Sequence, residues 1–128
     1  MPLVRISLRQ GRTPGERTLI ADGVHRALVE TCNVPKDDRF QIVTEHAELI
    51  YDPAYLGIGR SDGIVFVQVF FRKGRTVEQK RALYKRTAEL LGEAGVRPQD
   101  VFVTLVENDA PDWSFGNGEA QYAKAAPS

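Results

Sequence analysis

The sequence predicts an α/β (α+β) fold in which two duplicated β-α-β units form a four-stranded mixed sheet with both helices on one face. Three observations predict it. RQGRT at residues 9–13 recurs as RKGRT at residues 72–76, an offset of 63. Val34, Asp38, Phe40 and Glu45 recur as Val96, Asp100, Phe102 and Glu107, an offset of 62, so the two blocks differ by one residue. Within each half the same order of signals follows: a short run of β-formers, a helix start, apolar residues at helical spacing, a turn, and a second β-former run. A helical crossover joins parallel strands and is right-handed, and two such units related by a pseudo-twofold make a mixed sheet.

The elements follow in order. Residues 3–8 are rich in β-formers. Thr13 precedes Pro14, a cap residue followed by a proline in the first turn, and Ile20, Val24, Ala27 and Leu28 carry a helix to about Cys32. Residues 33–38 form a polar turn, and residues 40–45 return to strand chemistry. In the second half residues 63–71 form a strand. Thr76 heads a helix bearing Leu83, Thr87, Leu90, Leu91 and Ala94, Gly95 ends it, and residues 101–107 form the last strand. The chain is expected to be one domain over 1–128, built of repeats at about 2–46 and 64–108 with a C-terminal extension. Residues 64–71, apart from Gln68, are apolar on both alternating faces, so this strand wants cover on both sides. Helices cover one face. The other predicts an oligomer, or a fold-over of residues 47–62.

Seventeen basic residues balance seventeen acidic ones, which argues against a nucleic acid or an anionic membrane as a bulk electrostatic partner. Hydrophobic residues at 42% and charged residues at 27% describe a globular protein. One cysteine, Cys32, excludes an intrachain disulfide. No Cys/His metal pattern is visible, since His25 and His46 are the only histidines and lie far apart in sequence. Without a signal-peptide core or a membrane-length apolar run, the expected location is the cytoplasm.

A β-α-β duplication that begins Met-Pro resembles the tautomerase superfamily, whose MIF-like fold places a proline at the amino terminus once methionine is removed. Closer segments are Gly11-Arg12-Thr13, Val34-Pro35 with Asp38-Arg39, Leu56-Gly57-Ile58-Gly59-Arg60-Ser61, Glu78-Gln79-Lys80, and Val106-Glu107-Asn108 through Asp112-Trp113-Ser114-Phe115-Gly116. Together they resemble the malonate semialdehyde decarboxylases over essentially the whole chain, the Asp-Trp-Ser-Phe-Gly stretch being the most specific. That resemblance implies a homotrimer of fused chains. One feature departs from it: the decarboxylases carry two arginines separated by one residue, whereas Lys73 and Gly74 separate Arg72 from Arg75. This spacing is similar to that of the cis-3-chloroacrylic acid dehalogenases, whose histidine and late glutamate have no clear counterpart here.

Four residues are the expected catalytic set: Pro2, Asp38, Arg72 and Arg75. Removal of Met1 would leave Pro2 a secondary amine, and α-amino groups titrate near pH ~8, where either proton state is useful. Met-Pro alone is a common start; the duplication gives it meaning, and Val65 at the equivalent place allows one such amine per chain. Arg72 and Arg75 offer paired donors that match a carboxylate, or else form a solvated turn like Arg9 and Arg12. Asp38 by resemblance orients water or keeps Pro2 protonated, although its repeat, Asp100, points to a structural role for at least one of the two. Trp113, Phe115 and Phe71 are expected to bind substrate, with Tyr122 a lesser candidate, by walling the pocket or by packing an interface. His25 and Cys32 are expected to pack or cap.

The resemblance implies a cofactor-independent enzyme with no metal, acting on a small anionic oxo acid, with decarboxylation of malonate semialdehyde as the leading reaction. A neutral Pro2 would instead serve keto–enol tautomerisation of a 2-oxo acid such as phenylpyruvate. Hydration or dehalogenation of an unsaturated acid is a related option. A non-catalytic trimeric binding module is the alternative of another class.

Overall fold

The computed structural model describes residues 2–123. Four strands, β1 (Leu3–Arg9), β2 (Phe40–His46), β3 (Val65–Arg72) and β4 (Val101–Asn108), lie in the order β2-β1-β3-β4. Helix α1 (Pro14–Cys32) connects β1 to β2, and α2 (Val77–Gly92) connects β3 to β4. β1 is parallel to β2 and β3 is parallel to β4, while β1 and β3 run antiparallel through the centre. This is the duplicated β-α-β arrangement that the repeats predict.

The repeated RxGRT motif is explained by its geometry. Gly11 (φ 114) and Gly74 (φ 126) adopt a conformation closed to most side chains, and this turns the chain off the strand. The threonine two residues later caps the helix. Thr13 and Glu16 form a reciprocal capping box, and Thr76 and Gln79 form another. Gly95 (φ 83) closes the second helix beyond its last regular residue, Gly92, with the Val96 N–H donating to the Leu91 carbonyl at 3.1 Å.

Strand alternation then separates the two sheet faces. Val4, Ile6 and Leu8 of β1 and Val65, Val67 and Val69 of β3 are buried beneath Val24, Leu28, Leu83 and Leu91 of the helices. Each such side chain contributes roughly 1.5–3 kcal/mol. A Cβ on Gly23 would meet Leu91 Cδ1 at 3.1 Å, so this glycine lets α1 approach α2 closely.

The opposite face is covered by neither α1 nor α2. Phe66, Gln68 and Phe70 of β3 point there and stay half-buried. Residues 50–60 lie over its far end, where Ile50, Tyr55 and Arg60 line a cleft with Phe66 and Phe102. The near end keeps Phe40, Ile42 and Val106 between 42% and 50% exposed. The fold-over of residues 47–62 therefore covers one end of the face and leaves the other open. Among the described residues no helix is long and apolar enough to cross a membrane.

Candidate active site

The register gathers the expected residues at one end of the sheet. Leu3 pairs with both Phe40 and Phe70, and Phe70 pairs with Val106. The start of β1, the start of β2 and the ends of β3 and β4 thus meet there. Pro2, buried, precedes β1; Asp38 precedes β2; Arg72 ends β3; and the segment with Trp113 and Phe115 follows β4.

Asp38 closes a β-turn, its N–H donating to the Pro35 carbonyl at 3.0 Å, and is 5% exposed. Burial pushes its carboxyl above the usual range and Asp37 adds to this, while nearby positive charge from His25 and Arg75 works in the other direction. Tyr122 is also shifted upward, by burial first and then by the Asp38 charge, with Arg72 and Arg75 opposing. Asp38, Arg72, Arg75 and Tyr122 therefore form one electrostatic cluster.

The two arginines hold different positions. Arg75 is half-buried. Its Nε and Nη2 donate to the Cys32 carbonyl at 3.3 and 3.2 Å, and its Nη1 donates to the Arg72 carbonyl at 3.1 Å. Its guanidinium carbon lies 4.7 Å from the centre of the Phe71 ring. A guanidinium has five N–H donors, so at most two of those on Arg75 remain for a ligand. Arg72 is exposed, and its guanidinium lies 4.5 Å from the Tyr122 ring centre. Both border a cleft of about 290 Å³ with Lys73, Asn33 and Gln79.

Aromatic rings build the wall. Trp113 stacks on Phe115 at 5.5 Å, and Tyr122 meets Phe115 edge-on at 4.9 Å. Phe40 packs against Phe115 from β2 at 6.2 Å. The Trp113 indole N–H donates to Asn108 Oδ1 at 2.7 Å, which ties the segment to β4. Gln121 bonds to the Phe115 N–H and the Gly116 carbonyl, folding the chain back so that Tyr122 returns over the site. Phe71 is fully buried and meets the site only as the ring beneath Arg75. Phe40 was not singled out from the sequence, because its repeat, Phe102, makes it read as an ordinary strand residue.

The second half holds the same residue types in a different setting. Asp100, 2% exposed, accepts hydrogen bonds from the Ser61 N–H at 2.7 Å, the Ser61 hydroxyl at 2.6 Å and Arg97 Nε at 3.2 Å. Burial works to raise its pKa, but these bonds outweigh it and hold the carboxyl below its usual range. Arg12 donates to the Gly63 carbonyl at 2.9 Å and Arg9 to the Leu49 carbonyl at 3.3 Å. In that half the residues 47–63 fill the place that stays open in the other. Asp100 is the structural copy of the pair.

A β-α-β duplication with an acidic turn, two arginines and an aromatic wall at the Pro2 end defines a recognisable class of enzymes. Two sequence-family profiles, both described as tautomerase enzyme, match residues 38–116 and residues 2–51. The chain belongs to the tautomerase superfamily. It is 42% identical to the probable tautomerase YusQ of Bacillus subtilis (strain 168), covering 94% of this chain and 98% of that protein. Among solved structures it is similar to FG41 malonate semialdehyde decarboxylase inhibited by 3-bromopropiolate, with 45% identity, a TM-score of 0.89 and coverage of 94% and 93% of the two chains. A second malonate semialdehyde decarboxylase, described with decarboxylase and hydratase activities, gives 39% identity, a TM-score of 0.87 and coverage of 94% and 95%. Within its superfamily, then, the chain is an enzyme that resembles the malonate semialdehyde decarboxylases.

Proposed function

We propose that this enzyme, once Met1 is removed, decarboxylates malonate semialdehyde or a similar small 3-oxo acid with Pro2 as its acid. The observation that carries this reading is the cluster of Asp38, Arg72 and Arg75 beside the buried Pro2. Arg72, with the donors left on Arg75, grips the carboxylate and turns it out of the carbonyl plane. The C1–C2 bond then breaks, carbon dioxide leaves, and the electron pair passes into the C2–C3 enolate. The protonated Pro2 amine donates a hydrogen bond to the C3 oxygen, where charge develops. The Pro2 amine then delivers its proton to C2, which completes acetaldehyde, and regains a proton from solvent as the products leave. Ionised Asp38 holds Pro2 in its charged form. Trp113, Phe115 and Tyr122 exclude water, which strengthens these charges on one another.

Hydration of an unsaturated acid is the second reading. A similar decarboxylase is described with hydratase activity, and a buried carboxylate beside a protonated amine suits the activation of water equally well. The open sheet face supports assembly as a homotrimer, with Phe40, Ile42 and Val106 covered by a neighbouring subunit. The test is product analysis with malonate semialdehyde, phenylpyruvate and an acetylenic acid, using the processed chain and Pro2→Ala. Acetaldehyde release that Pro2→Ala abolishes supports the reading. Faster ketonisation of phenylpyruvate, with no acetaldehyde, refutes it.

A further inference from the structure

Asn108 ends β4 and makes two bonds there. Its carbonyl accepts from the Lys73 N–H at 2.8 Å, and its Oδ1 accepts from the Trp113 indole at 2.7 Å. An indole N–H only donates, so the atom facing it is the amide oxygen, and this settles which way the amide points. The register pairs Asn108 with Arg72, and strand alternation turns both side chains to the sheet face away from α1 and α2. The indole is therefore anchored beside the arginine assigned to the substrate carboxylate.

The duplication separates the two bonds. Asn108 repeats His46 at the offset of 62. The His46 carbonyl accepts from the Gln10 N–H at 2.9 Å, so the backbone bond that ties the glycine turn to the adjacent strand is common to both halves. The side chains differ. His46 Nε2 is buried without a hydrogen-bond partner, whereas Asn108 Oδ1 holds the indole. The carbonyl serves the fold in both halves, and the amide bond belongs to the half that carries Pro2.

That bond is the directional link in a closed circuit of contacts. Trp113 stacks on Phe115, Phe115 meets Tyr122 edge-on, the Tyr122 ring lies against the Arg72 guanidinium, and Arg72 pairs with Asn108. Ring contacts are favourable in several offset and tilted arrangements, while a hydrogen bond fixes distance and angle together. The hydrogen bonds of Phe115 and Gln121 stay inside the segment after β4, whereas that of Trp113 reaches the sheet. The Lys73–Asp109 ion pair also joins this segment to the arginine turn, but both side chains are exposed, and such pairs hold little in place.

We propose that Asn108 is a positioning residue for the reaction: through Trp113 it sets the aromatic wall against the arginine that grips the substrate. The proposal rests on the reading above that Trp113 walls the pocket.

The test exploits Trp113 being the one tryptophan of the chain, so that its indole nitrogen-15 signal is unambiguous and needs no substrate. Asn108→Leu removes the acceptor at nearly constant bulk, and Asn108→Asp keeps it. Trp113→Phe removes the donor and keeps a ring. The indole N–H should exchange with solvent about tenfold faster in Asn108→Leu than in wild type, and stay protected in Asn108→Asp. With malonate semialdehyde, kcat should fall about tenfold in Asn108→Leu and in Trp113→Phe, as expected for a misplaced wall. KM should stay within about threefold, because the arginines hold the substrate. The double variant of Asn108→Leu and Trp113→Phe should match the weaker single within about twofold, because both changes remove the same bond. A double variant near the roughly hundredfold product of two independent losses overturns the proposal, as does an indole signal indifferent to Asn108→Leu. Should Asn108→Leu fail to fold, Trp113→Phe carries the test by itself, and an undiminished kcat there overturns the proposal. A wild-type enzyme inactive on malonate semialdehyde, with the indole contrast intact, refutes the proposed reaction but not the positioning, and the same cycle is then read on the acid that the enzyme does convert.

Discussion

Replacing Arg75 and Arg72 separately by alanine should divide support from substrate contact. Arg75→Ala removes three hydrogen bonds to carbonyls, strips the Cys32 carbonyl of two donors and uncovers the Phe71 ring. A carbonyl deprived of its partners in a half-buried setting costs about 1–3 kcal/mol. Taking about 2 kcal/mol for the whole change, a chain of this length should melt roughly 6–8 °C lower. Arg72→Ala loses only an exposed contact with the Tyr122 ring, worth about 0.5 kcal/mol, or roughly 2 °C. Its effect should fall on the substrate instead. Losing one charge-assisted contact to a carboxylate, about 2 kcal/mol, lowers kcat/KM by roughly 30-fold. Differential scanning fluorimetry and steady-state kinetics on the two variants decide the matter. If Arg72→Ala melts as early as Arg75→Ala, or leaves kcat/KM untouched, the division of roles is wrong.

Further predictions use the duplication and the open face. Asp38 has its pKa raised and Asp100 has its pKa lowered, so their stability linkages carry opposite signs. Ionising Asp38 costs the fold stability as pH rises from the unfolded value through the raised one. Asp38→Asn should therefore melt no lower than wild type at neutral pH while losing activity. Asp100 contributes stability above the unfolded value and loses it as pH falls through the lowered one. Asp100→Asn should melt several degrees lower at neutral pH, with a smaller deficit in acid, both read from melting curves against pH. Ile42→Glu on the face away from α1 and α2 should shift the oligomer toward monomer in size-exclusion chromatography with light scattering, and an unchanged mass would deny that face its interface. Trp113→Ala removes the stacked ring and the bond to Asn108, and should lower kcat more than stability, as measured by kinetics beside a thermal melt.

Much of this was legible in the sequence because local chemistry and global topology agree. RQGRT and RKGRT report a glycine turn and a threonine cap, and both formed as read. Period-two and period-3.6 patterns placed all four strands and both helices to within a few residues. The strand with two apolar faces foretold that the side away from α1 and α2 would need cover. What the sequence could not separate was the work of identical residues. Asp38 and Asp100 repeat one another, and only the third dimension shows Ser61 and Arg97 closing on Asp100. Arg72 and Arg75 both read as anion binders, with Arg75 the preferred one, and only the structure shows the Cys32 carbonyl holding Arg75. His25 read as packing or capping, and the structure adds its hydrogen bond to the Lys36 carbonyl, a backbone atom that leaves no mark in side-chain patterns.

The central claim is that Pro2 is an ionised amine held by Asp38. The direct measurement is an intact mass to establish loss of Met1, followed by a nitrogen-15 titration of Pro2 on the same sample. A processed chain whose Pro2 stays mostly protonated at neutral pH, and turns neutral there in Asp38→Asn, is the predicted result. A mass that retains Met1, or a processed Pro2 already neutral at that pH, contradicts the account and assigns any surviving activity to proline as a base or to another group.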